Sequence, residues 1–154
     1  MPKISLRSLQ RKLFLFGIFK IPLIGFCRPR IVSIDDDSIA IRIPFRRRTR
    51  NHVGSMYLGV LTIGADLASG FLAFYLVENQ GYKTSPVFAG MKAVYHKRAE
   101  GDVTFVCEDG AEMKSMIERA KESGERVTSP VQVKAICLDE VVAEFEMEIS
   151  FRLK

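Results

Sequence analysis

The segment NHVGSMYLGVLTIGADLASGFLAFYLV, residues 51–77, is the longest apolar run of the chain, and it carries one carboxylate, Asp66, near its middle. From residue 57 to residue 78 apolar side chains occupy all sides of a helical pattern, and small residues such as Gly64 and Ala68 are interspersed. This pattern predicts a buried helix that other backbone approaches closely. The fold is therefore expected to form around this helix.

Three explanations compete for Asp66. Residues 55–77 are long enough to cross a bilayer, but a carboxylate at the bilayer centre costs about 2.5 to 3.5 kcal/mol, and the half-polar strand patterns on both sides need this helix to pack against. A second explanation is a structural acid that is satisfied by partners of its own chain. The third is a catalytic or ligand-binding acid, because apolar surroundings raise the pKa of a carboxyl group towards the range of an effective base.

The flanking patterns predict an α+β domain. Residues 31–45 predict a β-hairpin around an Asp-rich turn, residues 85–107 predict two strands, and residues 109–124 predict a surface helix with Asp109 as its N-cap. Two strands follow, and the last one alternates cleanly between apolar and polar residues. An antiparallel sheet with its helices on one side is the natural arrangement of these elements.

The amino-terminal residues 1–27 predict an amphipathic helical extension ahead of the domain at residues 28–154. Several cations precede the apolar stretch LFLFGIFKIPLIGF, but Lys20 and Pro22 interrupt it, and no cleavage site typical of a signal peptide follows. The stretch is too short to span a bilayer. We expect this helix to lie on the domain, and contact with a membrane surface is the less favoured alternative.

Charge and cysteine content limit the classes of partner. Residues 1–50 contain 12 Lys and Arg against 3 acids, whereas the whole chain has a net charge of +5. An anionic ligand is therefore expected at the first third, unless this is only a solvated basic face. A nucleic-acid partner is not expected, because stacking aromatics and groove-reading elements are missing. The three cysteines are far apart and suggest neither disulfides nor a metal site, which is typical of a cytoplasmic protein.

The segment around Asp66 resembles the hotdog-fold acyl-CoA thioesterases. In the branch like phenylacetyl-CoA thioesterase, N-x-x-G-x-x-H-G-G enters the central helix and an acid follows in a triplet like L-A-D. The matching residues here are Asn51, Gly54, Gly59 and the triplet Gly64, Ala65 and Asp66, whereas Tyr57 and Leu58 replace the family His and first Gly. The segment is still more similar to an uncharacterised thioesterase-like branch with the motif N-H-[VI]-G-[ST]-M. The resemblance extends from about residue 31 to the end of the chain.

The resemblance implies a hotdog fold, in which a curved antiparallel β-sheet wraps around a long central helix, with an extra N-terminal helix in this chain. It implies hydrolysis of an acyl thioester of coenzyme A or of an acyl carrier, with no cofactor beyond the coenzyme A of the substrate. Asp66 would act as base or nucleophile, and the backbone N–H groups of Leu58 and Gly59 would stabilise the oxyanion. Asn51 would orient water or the thioester, with His52 as a helper.

Substrate binding is assigned to residues around the same loop and at the end of a strand. Cations outside the acyl pocket would bind the phosphates of coenzyme A. The expected substrate-binding residues are Arg48, Arg50, Lys97, Arg98, Tyr57 and Ser55.

The spacing of Leu58 and Asp66 predicts a site shared between subunits. Eight residues of helix separate the two by roughly 12 Å along the axis, so one chain cannot bring both to one carbonyl. The resemblance implies a homodimer, or a tetramer built from it, in which the acid of one helix meets the helix start of its partner. The alternative is a hotdog protein that binds an acyl chain or an acyl carrier without catalysis, as the loss of the family His at Tyr57 indicates.

Overall fold

The structure is a computed structural model that describes residues 3–154. Its helices are α1 (Leu6–Phe19), α2 (Pro22–Cys27), α3 (Leu58–Asn79) and α4 (Gly110–Ser123), with a short 3-10 turn at Arg47–Thr49. Its strands are β1 (Arg30–Ile34), β2 (Ile39–Ile43), β3 (Val87–Tyr95), β4 (Val103–Cys107), β5 (Val127–Cys137) and β6 (Glu140–Phe151).

The six strands form one antiparallel sheet in the order β1-β2-β4-β5-β6-β3. Four consecutive strands of this order, β2, β4, β5 and β6, contact the single helix α3. A helix about 10 Å wide touches four strands spaced about 4.8 Å apart only if the sheet curves around it. The predicted α+β hotdog fold is therefore confirmed.

Helix α3 is the core of the domain because its small residues admit the sheet. A Cβ added to Gly64 would lie only 2.2 Å from the ring of Phe105, a fully buried residue of β4. Within residues 3–154, α3 is the one helix long and apolar enough to cross a membrane, but 67% of its most apolar window is buried by the rest of the domain. It is the core helix that the sequence pattern predicted.

The N-terminal extension contains the predicted helix, α1, and a second short helix, α2, that the sequence did not predict. Pro22 occupies the first turn of α2, where its fixed φ and missing N–H are tolerated, and it separates α2 from α1. The two helices touch at Gly17 and Gly25, where an added Cβ on Gly17 would lie 2.8 Å from the Cα of Gly25. We call this pair of helices, residues 6–27, the N-terminal hairpin.

Helix α4 begins and ends as predicted, with Asp109 at the N-cap position, but the Asp109 side chain has a different partner. Gly124 terminates it in the left-handed region, with φ of 65°. The side chain of Asp109 does not cap the helix, because its Oδ2 atom accepts a hydrogen bond from the backbone N–H of Gln132 on β5. Asp109 therefore ties the start of α4 to the sheet.

We predict that Gly64→Ala destabilises the protein by about 1 to 3 kcal/mol, because the added methyl group overlaps the ring of Phe105. Gly70→Ala on the same helix is the matched control, since its Cβ would lie 3.8 Å from Phe88 and alanine favours a helix by about 1 kcal/mol. Urea denaturation measures both changes. Equal stability of the two variants would contradict the close contact between α3 and β4.

Candidate active site

Asp66 lies on α3 beside a cavity of about 350 Å³. The cavity is bounded by α3, the N-terminal hairpin and the segment that leads into β3. Its lining is largely apolar and consists of Lys12, Phe16, Ile21, Ile24, Asp66, Leu67, Gly70, Phe71, Phe74, Thr84, Ser85, Pro86 and Phe88. Asp66 is the one carboxylate among these residues, and its side chain is only partly buried, so it remains accessible to a ligand.

The Asp66 carboxylate has no hydrogen-bond or ion-pair partner within residues 3–154. Outside the helix ladder, the one hydrogen bond of this residue is accepted by its backbone carbonyl from Oγ of Ser69. Burial raises the pKa of this carboxyl group from 3.8 to about 6, because the apolar surroundings disfavour the charged form. An acid that only fixes the packing would have partners of its own chain. Within residues 3–154 Asp66 therefore lacks the partners of its own chain that a purely structural acid would have.

The N-terminal hairpin closes one side of this cavity, which the sequence did not predict. Phe16 of α1 packs edge-on against Phe71 of α3, with ring centroids 6.4 Å apart. Lys12 lies over the ring of Phe74 and pairs with the carboxylate of Glu78 at 2.7 and 2.8 Å. The spacing of Lys12 and Phe16 placed both on one face of a helix, but it did not reveal that this face meets Asp66.

The start of α3 presents free backbone donors. Tyr57 is the N-cap, its side chain makes no capping hydrogen bond, and its carbonyl accepts from the N–H groups of Val60 and Leu61. The N–H groups of Leu58 and Gly59 have no acceptor among residues 3–154. These N–H groups and the positive end of the helix dipole favour a negative oxygen at this point. The ring of Tyr57 lies over Gly59, where an added Cβ would be 2.6 Å from its Cε1 atom.

Asn51 organises the loop before α3. Its Oδ1 atom accepts hydrogen bonds from the N–H groups of Val53 and Ser55, and its Nδ2 atom donates to Oγ of Ser55, each at 3.0 Å. Ser55 is buried by this arrangement, whereas His52 is exposed. Asn51 therefore holds the loop, and one of its amide hydrogens remains for a ligand.

The structure brings the predicted cationic segments together at this end of α3. Arg50 forms an isolated β-bridge with Met56, whose N–H group donates to the carbonyl of Ala99 at 2.8 Å, next to Arg98. Lys97 pairs with Glu140 at 2.9 Å. Arg48 donates to the carbonyl of Phe26 and stacks over its ring, so it contacts the N-terminal hairpin.

Within one subunit the predicted residues form two separate groups. Asp66 lines the cavity, whereas Asn51, His52, Leu58, Gly59 and the cations do not. The second group surrounds the start of α3, roughly 12 Å along the helix axis from Asp66. One chain therefore does not bring the Asp66 carboxylate and the backbone N–H donors to the same site.

Cysteine and metal chemistry have little support at this site. All three cysteines are buried, and burial raises the pKa of the Cys107 thiol to about 12. In the part of the chain from residue 3 onward, no cluster of three or more His, Cys, Asp or Glu is arranged to hold a metal ion.

Sequence comparison identifies the family. Residues 10–152 match the family described as Domain of unknown function (DUF4442). The chain belongs to this DUF4442 family. No curated protein matches the sequence.

Solved structures similar to this DUF4442 protein include several thioesterases. A Pseudomonas aeruginosa protein of unknown function, described as a probable thioesterase, is 22% identical with a TM-score of 0.81 over 100% of this chain and 99% of its own. A Haemophilus influenzae thioesterase is 13% identical with a TM-score of 0.70 over 97% and 92%. A mutant thioesterase from Pseudomonas aeruginosa is 14% identical with a TM-score of 0.74 over 99% and 97%. At these identities the likeness establishes the fold alone.

We predict that Asp66→Asn stabilises the protein at neutral pH. Because the pKa of Asp66 is about 6 in the folded state and 3.8 ordinarily, the folded state binds the proton more tightly, and stability is lost as the pH rises through this range. A shift of this size corresponds to at most about 3 kcal/mol. In urea denaturation the advantage of the variant should be small near pH 4 and about 1 to 3 kcal/mol near pH 7.

The matched control is Asp139→Asn, which removes an exposed carboxylate at a residue with φ of 63°, a conformation that Asn tolerates. A gain for Asp66→Asn that does not grow between the two pH values would contradict the desolvation of Asp66.

Proposed function

We propose that this protein is a thioester hydrolase that acts on an acyl thioester of coenzyme A or of an acyl carrier. The observation that carries the proposal is the accessible, unpartnered Asp66 carboxylate on the central helix, beside an apolar cavity. Retaining such an acid lowers stability, which is common for catalytic groups. The thioesterases among the structurally similar proteins support the same reaction class.

In the proposed reaction, ionised Asp66 takes a proton from a water molecule, and the water oxygen attacks the carbonyl carbon of the thioester. The carbonyl oxygen becomes an oxyanion that accepts hydrogen bonds from the N–H groups of Leu58 and Gly59. The carbon–sulfur bond then breaks, and the leaving thiolate recovers the proton from Asp66. The products are a carboxylic acid and a free thiol. The free amide hydrogen of Asn51 is suited to orient the thioester.

The reaction needs two subunits, because Asp66 and the donors of one chain are too far apart. Strand β3 supports such pairing. It lies at one edge of the sheet and pairs only with β6 among residues 3–154. Its exposed apolar residues are Val87, Met91, Val94 and Tyr95. An unpaired nine-residue edge with apolar side chains and no proline favours addition of another strand, and a second copy supplies one by a two-fold axis.

The cations near the loop of Asn51 are suited to the phosphates of coenzyme A. Arg48, Arg50 and Arg98 make no ion pair in the described part of the chain, whereas Lys97 already has Glu140 as a partner. These cations lie far from Asp66 of the same chain. In the proposed dimer a substrate would therefore reach from Asp66 of one subunit to the Asn51 loop of the other. Removal of these cations should raise KM and change kcat little.

We predict that the purified protein hydrolyses members of a panel of short, medium and long acyl-CoAs, and that Asp66→Asn lowers kcat by about 10²- to 10⁴-fold, the range for a general base. Because the ionised carboxylate is the active form, kcat/KM should rise with pH with a midpoint near the pKa of about 6. Thiol release with a chromogenic reagent measures both. Full activity of Asp66→Asn with an intact oligomer would overturn the proposal.

We predict that Leu58→Pro abolishes turnover while Leu58→Ala retains it. Leu58 is the first residue of α3 and follows an extended residue, so proline fits there and removes only the N–H donor. Mixing inactive Leu58→Pro and Asp66→Asn subunits should restore about a quarter of the wild-type activity, because half the dimers are mixed and each has one intact composite site. Mixed dimers that stay inactive would contradict the composite site.

A non-catalytic acyl-binding protein is the second candidate. Tyr57 stands where the thioesterase branch that the sequence resembles would have His, and the side chain of Asn51 is largely engaged by its own loop. Retention of an acyl-CoA without any turnover, unchanged by Asp66→Asn, would favour this candidate over the enzyme.

A further inference from the structure

The N-terminal hairpin exposes an unusual amount of apolar surface. Nine of its large hydrophobic side chains are exposed, and Phe19 at the connection between its helices is 75% exposed. The nine are Leu6, Phe14, Leu15, Phe16, Ile18, Phe19, Ile21, Leu23 and Phe26. Concentrations of exposed apolar residues of this kind mark interaction sites on soluble domains.

The N-terminal hairpin and the residues that flank it carry cations but no acid of their own. Residues 1–34 contain seven Lys and Arg and no Asp or Glu. Lys3 and Lys12 pair with acids elsewhere in the fold, whereas Arg7, Arg11, Lys20, Arg28 and Arg30 have no ion pair within residues 3–154. The apolar surface is therefore bordered by cations that are available to a partner.

Apolar and cationic residues meet in one groove. An open groove of about 1060 Å³ lies between α1, α2 and the start of β1. Phe14, Ile18 and Phe26 line it together with Arg7, Arg11 and Arg28. The groove therefore offers guanidinium groups for phosphates directly beside side chains for hydrocarbon.

We propose that the N-terminal hairpin docks onto an anionic phospholipid membrane, with its exposed phenylalanines in the interface and its arginines on the lipid phosphates. An interfacial helix combines these two kinds of residue for the same reason, since apolar burial and attraction to anionic lipids add. The amphipathic pattern of residues 1–27 predicted that this extension lies on the domain, with contact to a membrane surface as the less favoured alternative. The structure leaves nine of its large hydrophobic side chains exposed.

A second copy of the chain is a poorer occupant of this surface. In a two-fold contact of the hairpin with itself, the arginines would face the same arginines, and no acid of residues 1–34 would separate them. A nucleic acid would use the arginines but would leave the aliphatic residues without a role. A lipid surface satisfies both sets.

The hairpin also connects the proposed membrane contact to Asp66. Its Phe16, Ile21 and Ile24 line the Asp66 cavity, while its Phe14, Ile18 and Phe26 line the outer groove. Docking would place the cavity about one helix diameter, roughly 10 Å, from the lipid. The docking itself does not depend on the proposed hydrolase activity, and it is tested without substrate.

The test is co-sedimentation of the full chain with phosphatidylcholine vesicles that contain or lack about 30% phosphatidylglycerol. We expect binding to the anionic vesicles that weakens with salt. Arg7→Gln with Arg11→Gln should weaken it about 10- to 30-fold, at about 1 kcal/mol for each cation. Lys83→Gln with Lys134→Gln removes the same charge from exposed positions elsewhere and should change it little.

The apolar contribution is tested separately. The double variant Phe14→Ser with Phe19→Ser should weaken vesicle binding at least about tenfold. Because both side chains are exposed, the fold should be retained, which circular dichroism checks. The chain has no tryptophan, so Phe19→Trp supplies a single reporter whose emission should shift to the blue with anionic vesicles. Glu122→Trp on the exposed surface of α4 is the control and should not shift.

Several results would overturn the proposal. They are no binding to anionic vesicles, binding indifferent to Phe14 and Phe19, an equal shift of both tryptophans, or heparin or RNA binding as tightly as the vesicles. A lipid-free oligomer that dissociates in Phe14→Ser with Phe19→Ser would assign the surface to a second copy.

Discussion

The close contact of Gly64 with the ring of Phe105 determines how the rest of the structure is arranged. It lets a helix that is apolar on all sides lie against a sheet, so that four strands cover it and no bilayer is needed to bury it. Asp66 lies on this helix where the N-terminal hairpin and the segment leading into β3 bound a cavity, so its carboxylate is partly withdrawn from bulk water. The raised pKa of its carboxyl group follows from that burial.

The rigid helix also keeps the N–H donors and the carboxylate of one chain apart. Its free N–H groups are at its first turn and its carboxylate is two turns further on, so a single copy holds both parts without bringing them together. Loop movement cannot remove this distance, because it lies within one helix. A second subunit can, and the unpaired edge of β3 offers a place for it. In this proposal the oligomer is a condition of the reaction rather than an addition to it.

The N-terminal hairpin gives this hotdog domain a feature that its central helix and sheet do not explain. One side of it completes the Asp66 cavity, through the contact of Phe16 with Phe71, and the other side remains uncovered. The close approach at Gly17 and Gly25 keeps the two helices together, so the two sides are presented by one small unit.

The sequence by itself determined the core helix, the strand patterns and the α+β class, and it singled out Asp66 as the one acid of the core helix, because periodicity, a helix-terminating glycine and an isolated acid are local properties. It predicted the N-terminal helix but not the second short helix, α2, which begins at Pro22. It placed Asp109 correctly at the N-cap of α4, but it did not predict that the carboxylate accepts a hydrogen bond from Gln132 on β5 instead of capping the helix. The lining of the cavity beside Asp66 and the hydrogen bond from Met56, the bridge partner of Arg50, to Ala99 depend on segments far apart in the chain. Only the tertiary structure decided these, because it alone determines which faces of the elements meet and which remain exposed.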